Sequence, residues 1–247
     1  MTAERFYFDT LDKICATVTM SGDEARHIIK VVRKTAGEKI ELLNGRGIIR
    51  TGVISSISRD TLDIRLESIR EFAKPEKALH LLCGLPKSEQ SFDAILKGSA
   101  ELGVRSIHPL TTCRSKQYRE PFISKRLQRW EKIIISACKQ SGNPWFPIIE
   151  RPADLIGFVD RLTTSHALKF VGWEPGLQTS KRLHQLPELC TDDFYWCVGP
   201  EGGWTLKEAQ YLLNKGFIPL MLGDLTMTTV TACLTGIVAL RAHYQLI

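Results

Sequence analysis

Residues 197–208 read Cys-Val-Gly-Pro-Glu-Gly-Gly-Trp-Thr-Leu-Lys-Glu, and no other stretch of the chain restricts its fold as strongly. An apolar run at 194–198 leads in. Thr205 and Glu208 then stand at capping-box spacing, so a helix begins near Leu206. Gly199, Gly202 and Gly203 therefore lie in a strand-to-helix turn that Pro200 stiffens. Glycines there reach positive φ and let a ligand approach bare backbone. In open α/β sheets, ligands bind beyond the carboxyl ends of the strands, where such a turn sits. No Gly-Lys-Ser/Thr follows and no GxGxxG spacing is present, which disfavours a phosphate cradle. A tight turn without a ligand is the plainer alternative.

Two more strand ends carry the same feature. Leu222 and Gly223 lead into a threonine-rich turn containing Met227, Thr228 and Thr229, and Gly172 leads into Trp173 and Glu174. Convergence of the three on one pocket is the expectation, with Val198 at the tip of the middle strand.

The rest of the chain divides in two. Residues 1–72 hold short alternating strands, an Asn44-Gly45 hairpin signal and one helix opened by Ser21 and Glu24 at capping-box spacing. Ala25, Ile28, Ile29 and Val32 share one face of that helix, and the region reads as a small β-barrel. A charged stretch at 71–78, with Pro75, is the linker. From residue 73 to 247 strands alternate with helices, and Gly103 stops one of them, the rhythm of an α/β layer. A long amphipathic helix follows Ile123, Leu127, Trp130 and Ile134, with Lys125, Arg126, Arg129 and Lys132 on its other side.

Composition bounds the partners. The 33 Lys and Arg against 27 Asp and Glu give a formal charge of +6, which leans toward a polyanion or describes an ordinary solvated surface. Seven cysteines, an odd number without a CxxC pair, suit reduced buried thiols in the cytoplasm and argue against a metal site. No apolar run suggests a leader or a membrane span.

Taken in order, several short motifs resemble the RsmE family of SPOUT methyltransferases over nearly the whole chain. They are Arg-Phe-Tyr-Phe at 5–8, His27 with Val-Val-Arg at 31–33, Gly37, Lys97 with Glu-Leu-Gly-Val at 101–104, Arg114, Trp130, Gln-Ser-Gly at 140–142, Pro147 and the glycine turn. The resemblance implies a PUA-like barrel at 1–72 and an α/β domain at 73–247 whose C-terminal part forms a trefoil knot. It also implies a homodimer, S-adenosylmethionine as cofactor, and methylation at N3 of a uridine in 16S ribosomal RNA or the small ribosomal subunit. The sequence departs from the family pattern at Leu225, Thr228 and Val230, where two arginines and a glutamate are usual, and at Asn143, where an arginine is usual. Lost arginines weaken a grip on phosphate, so the alternative is an RNA-binding or assembly protein of the same fold with reduced or no catalysis.

Uridine N3 is a poor nucleophile until its proton leaves, so a base or an anion-stabilising group is required. Glu201 is a candidate base or ribose ligand, or else a carboxylate that accepts backbone N–H bonds. Arg114 is a candidate for phosphate or uridine-anion binding, or else a surface arginine. Cofactor contacts are expected from Gly172, Val198, Gly199, Pro200, Glu201, Gly202, Gly203, Leu222, Gly223, Met227, Thr228 and Thr229, the threonines doubling as helix caps. RNA contacts are expected from Arg5, Arg26, His27, Lys30, Arg33, Arg126 and Arg129, with Phe6 or Tyr7 as stacking or core aromatics. Lys97 and Glu101 read as an i,i+4 ion pair.

Overall fold

The computed structural model describes residues 4–118, 120–162, 167–173, 180–188 and 191–246. Glu174 and Cys190 lie outside them. The chain clusters into two compact units, Met1–Lys74 with Ile135–Phe146, and Pro75–Ile134 with Pro147–Ile247.

The first unit is built on a curled five-stranded sheet of β1 (Arg5–Tyr7), β2 (Thr17–Met20), β3 (Lys39–Leu43), β4 (Ile48–Ile57) and β5 (Leu62–Glu71), ordered β1-β3-β4-β5-β2. Alternation sets the register: Ile40 and Leu42 on β3, Ile54 on β4 and Leu62 and Ile64 on β5 are buried with Phe6 and Met20. Asn44 holds the β3–β4 connection, its Oδ1 accepting from the N–H groups of Arg46 and Ile48, while Gly45 and Gly47 take positive φ. The Ser21–Glu24 spacing does not make a capping box. Ser21 makes no side-chain cap bond, and Glu24 instead accepts from Tyr7 N–H and Lys139 Nζ. Helix α1 (Gly22–Arg26) is a short turn that widens into a π-helix at His27–Val32 and ends at Arg33, a non-glycine residue in left-handed geometry with φ 61°. Such backbone costs energy and gathers at functional sites. Phe6 is a core residue, and Tyr7 rests on Phe146 with ring centroids 5.4 Å apart.

The second unit is a parallel sheet, with order β12-β10-β11-β6-β7-β8 and β9 also on β7. Its elements run β6 (Ala78–Gly84), α2 (Glu89–Glu101), β7 (Ser106–Thr111), α3 (Phe122–Ser141, which from Ile135 on clusters with the first unit), β8 (Ile148–Ile149), β9 (Ala153–Asp154), α4 (Leu155–Leu162), β10 (Leu168–Gly172), β11 (Asp193–Val198), α5 (Leu206–Asn214), β12 (Ile218–Leu220) and α6 (Thr229–His243). Both faces of the sheet are covered, so its central strands are continuously apolar: Leu81, Leu82 and Cys83 on β6 and Trp196, Cys197 and Val198 on β11 are all buried. Helix α6 lies flush on Trp196, because a Cβ at Gly236 would fall 2.2 Å from the indole; Trp196 Nε1 donates to Ala232 O at 3.2 Å.

The amino ends of these strands carry a polar cluster. His80 lies 2.6 Å from Ser106 Oγ through Nδ1 and 3.1 Å from Asp193 through Nε2, and Ser106 Oγ lies 2.6 Å from His108 Nε2. Burial pushes the His108 imidazole down to about 4, with the neighbouring His80 adding to the effect, and burial lowers His80 as well. Of the cysteines, Cys83, Cys138, Cys197 and Cys233 are buried, whereas Cys15 and Cys113 are exposed, contrary to the expectation of buried thiols. No helix among the described residues is long and apolar enough to cross a membrane, and no acidic, histidine or cysteine cluster there suits a metal.

Candidate active site

The cavity sits at the carboxyl ends of β10, β11 and β12 and measures about 580 Å³, within the range of small-molecule sites. Gly172 comes from the first strand end, Val198, Gly199, Pro200, Glu201, Gly202 and Gly203 from the second, and Leu222, Gly223, Met227, Thr228 and Thr229 from the third; all line it, and so does Arg114. The three strand ends singled out in the sequence therefore meet around one space.

The glycine turn is closed by Gly203 N–H on Pro200 O at 2.8 Å, with Gly203 at φ 66°. Helix α5 follows through a complete capping box: Thr205 Oγ1 accepts from Glu208 N–H at 3.2 Å, and Glu208 Oε2 accepts from Thr205 N–H at 2.8 Å. Thr228 caps α6 by accepting from Thr231 N–H, and the Thr229 hydroxyl donates to Gly199 O at 3.2 Å, tying the third turn to the second.

The missing side chains serve a different purpose from the one the sequence suggests. A Cβ on Gly172 would come within 3.0 Å of the Trp196 ring, one on Gly199 within 3.1 Å of Trp204, and one on Gly202 within 3.1 Å of the Arg114 stem. These glycines admit protein groups at the Cβ position, whereas the nearest neighbour of a Cβ at Gly223 is Met227 Cε at 3.6 Å. Trp196 and Trp204 line the cavity with Trp173. Sequence reading passed over the first two as sites, although an indole beside a glycine pair is a packing signal. Leu206 and Leu225 also belong to the lining and stand 90% and 81% exposed, an apolar rim that periodicity could not flag.

Arg114 donates through Nη1 to Gly202 O at 2.7 Å, so it is fastened to the turn rather than loose on the surface. Its Nε and Nη2 have no partner among the described residues. Glu201 is exposed, and its Oε2 accepts from Lys87 N–H at 3.0 Å, a backbone bond from another loop rather than its own. Arg114 and Glu201 are the charged side chains of the lining.

The cations expected to meet RNA are mostly engaged. Arg5 pairs with Glu41 at 2.9 Å and donates to Gln140 O at 3.1 Å; Arg26 pairs with Asp23, and Lys30 with Asp60 at 3.5 Å. Arg126 pairs with Glu89 at 2.5 Å, which holds that carboxyl down at about 2, and Arg129 pairs with Asp93 at 2.6 Å. Arg33 is exposed without an ion pair among the described residues, and His27 is exposed with its ring edge toward Phe6 at 6.4 Å. Lys97 and Glu101 lie 3.9 Å apart as the plain i,i+4 pair and take no part in the cavity.

Comparison with known proteins matches residues 73–241 to a family described as RNA methyltransferase domain and residues 21–67 to one described as RNA methyltransferase PUA domain. The chain is 30% identical over 193 residues to ribosomal RNA small subunit methyltransferase E of Aquifex aeolicus, covering 75% of this chain and 80% of that one. It is 29% identical to the protein of the same name from Buchnera aphidicola, covering 97% and 96%. The crystal structure of ribosomal RNA small subunit methyltransferase E from Neisseria gonorrhoeae bound to S-adenosylmethionine superposes with a TM-score of 0.86 at 27% identity, covering 98% of each chain.

Proposed function

The chain belongs to the RNA methyltransferase family, in its ribosomal RNA small subunit methyltransferase E branch, and on that footing we propose that it methylates N3 of a uridine in 16S ribosomal RNA using S-adenosylmethionine. The observation that carries the reading is the cavity framed by three parallel strand ends and walled mainly by backbone and neutral side chains. Such a lining fits a donor with a charged sulfur: it is roomy, and its one cation, Arg114, is tied to the turn. Bound S-adenosylmethionine supplies a methyl group already activated on positively charged sulfur.

The chain's own work is orientation and charge. The turn of residues 199–203 would hold the nucleoside part through its amides, with the Leu222–Gly223 and Met227–Thr229 segments on the other side. Arg114 Nε and Nη2 donate to a pyrimidine oxygen as negative charge grows there. Glu201 Oε1, the oxygen not engaged by Lys87, would accept the N3 proton, so that the N3 lone pair is free to bond to the methyl carbon as the carbon–sulfur bond breaks and its electron pair returns to a sulfur that leaves as a neutral thioether. Arg26, His27, Lys30 and Arg33 on the first unit, with Arg126 and Arg129 on α3, meet phosphates; ion-paired surface cations exchange partners at little cost. Two copies work as a homodimer, a second chain covering the α6 face that leaves Val238 43% exposed, and the work is cytoplasmic.

The test is incubation of the protein with methyl-labelled S-adenosylmethionine and small ribosomal subunits, followed by mass-spectrometric mapping. One N3-methyluridine in 16S RNA is expected. Donor binding without transfer establishes the non-catalytic RNA-binding alternative, and no donor binding at millimolar concentration ends both the cofactor and the reaction.

A further inference from the structure

Glu208 has one more bond than its helix requires. Capping α5 uses Oε2, which accepts from the Thr205 N–H and the Thr205 hydroxyl, both at 2.8 Å. Oε1 accepts the backbone N–H of Cys113 at 2.8 Å, across 95 residues of chain. A solvent-exposed carboxylate caps a helix equally well. Glu208 is instead buried, 8% exposed, with no ion pair among the described residues. Burying a carboxylate is costly unless donors surround it. Burial works to raise its titration, and the N–H groups of Cys113 and Thr205 with the Thr205 hydroxyl more than offset that, leaving Glu208 below the usual glutamate range and ionised at working pH. The depth of the side chain is thus explained by Cys113.

Cys113 is joined to Arg114, and Arg114 closes a loop back to the same turn through Gly202 O. The path runs from the α5 cap to the Cys113 amide, to the Arg114 guanidinium, and to the glycine turn. Apart from the covalent step from Cys113 to Arg114, the links are hydrogen bonds of 2.8 Å or less.

We infer that Glu208 is a positioning residue that holds the Cys113–Arg114 backbone so that the guanidinium stays at the cavity lip, and that its influence on methyl transfer passes through Arg114. The inference rests on the methyltransferase reading above. Arg114 is the group that touches substrate; Glu208 acts one bond away.

The experiment is a double-mutant cycle in the full chain, with S-adenosylmethionine and small ribosomal subunits: wild type, Glu208→Gln, Arg114→Ala and the double variant. Glutamine keeps the size and one acceptor oxygen and removes the charge. Glu208→Gln is expected to lower kcat about tenfold while the donor KM stays within about twofold, because an aligned group has moved and the donor contacts have not. On the Arg114→Ala background the same change is expected to alter kcat by less than about twofold. Equal factors on both backgrounds overturn the inference, since Glu208 then acts on the helix alone. A second measurement needs no variant: the Cys113 amide of the wild-type chain is expected to exchange with solvent at least about 100-fold more slowly than a free amide. Fast exchange at Cys113 overturns the inference even if Glu208→Gln does not fold. A wild-type chain without methyl transfer ends the functional reading and this role with it, an outcome distinct from an active enzyme with additive variants.

Discussion

The two units set out their candidate groups in different materials. In the parallel-sheet unit the lining is glycine turns and neutral side chains, held by caps and by indoles seated on glycines. In the five-stranded unit the candidates are long cationic side chains, and most of those already hold an acid. The first kind of surface is made by the fold and cannot be moved without moving strands. The second is made by pairs that open and re-form against a new anion. The difference predicts that changes in the parallel-sheet unit act on stability, on donor binding or on both, whereas changes on the basic face act on RNA alone.

The hardest strike at that contrast is Gly236→Val. A branched side chain where Cβ already falls 2.2 Å from the Trp196 ring should cost about 3 kcal/mol or more, read as a lowered urea midpoint. A midpoint within error of wild type would mean that α6 does not lie on Trp196.

Acid should then separate the units. His108 is neutral when folded, at about 4 against an ordinary 6.5, so its folded value lies below its unfolded one. The stability it contributes is present above pH 6.5 and is lost as pH falls toward 4, amounting to about 3 kcal/mol. His80 shifts in the same direction, and the His27 ring of the other unit is exposed. Hydrogen exchange at pH 4.5 should therefore open β6, β7 and β11 before β3, β4 and β5. Simultaneous opening, or the reverse order, breaks the contrast.

Gly202→Val comes next. Its Cβ meets the Arg114 stem at 3.1 Å, and that stem can yield, so the fold should survive while donor affinity in calorimetry falls about tenfold. The mildest change is Arg33→Ala. Removing this exposed cation should weaken RNA binding a few-fold, reduce the slope of affinity against salt by about one, and leave the donor alone. Unchanged RNA binding would take the π-helix segment out of the interface.

Much of the parallel-sheet unit was legible because its signals are local. The Thr205–Glu208 box, the Gly103 stop at φ 69° and the apolar strands each state their own conformation. The meeting of the three glycine-bearing strand ends was legible for the same reason, since parallel strands place all their carboxyl ends on one side. What failed were inferences that depend on distant partners. Ser21 and Glu24 have capping-box spacing, yet Glu24 is drawn to Tyr7 and to Lys139, which lies 115 residues on. The π-helix follows no pattern that spacing can show. Short elements such as β8, β9 and α4 were passed over because they carry too few residues for a period to emerge. Glycines in the sequence suggest room for a ligand, but tertiary packing puts Trp196, Trp204 and Arg114 there. The sequence shows Glu208 as a cap and no more, because its second bond reaches a residue that is near only in the folded chain.

The serine between the two imidazoles has a consequence of its own. A hydroxyl has one proton to give, so Ser106 can donate to only one ring. The Asp193 carboxylate accepts from His80 Nε2, which leaves His80 Nδ1 bare and makes it the acceptor of that proton. Ser106 oxygen must then accept from His108 Nε2, and His108 Nδ1 is left as a buried lone pair with no partner among the described residues. Both tautomers are fixed by a single hydroxyl orientation, and the four groups form one directional proton chain running from β7 through β6 to β11.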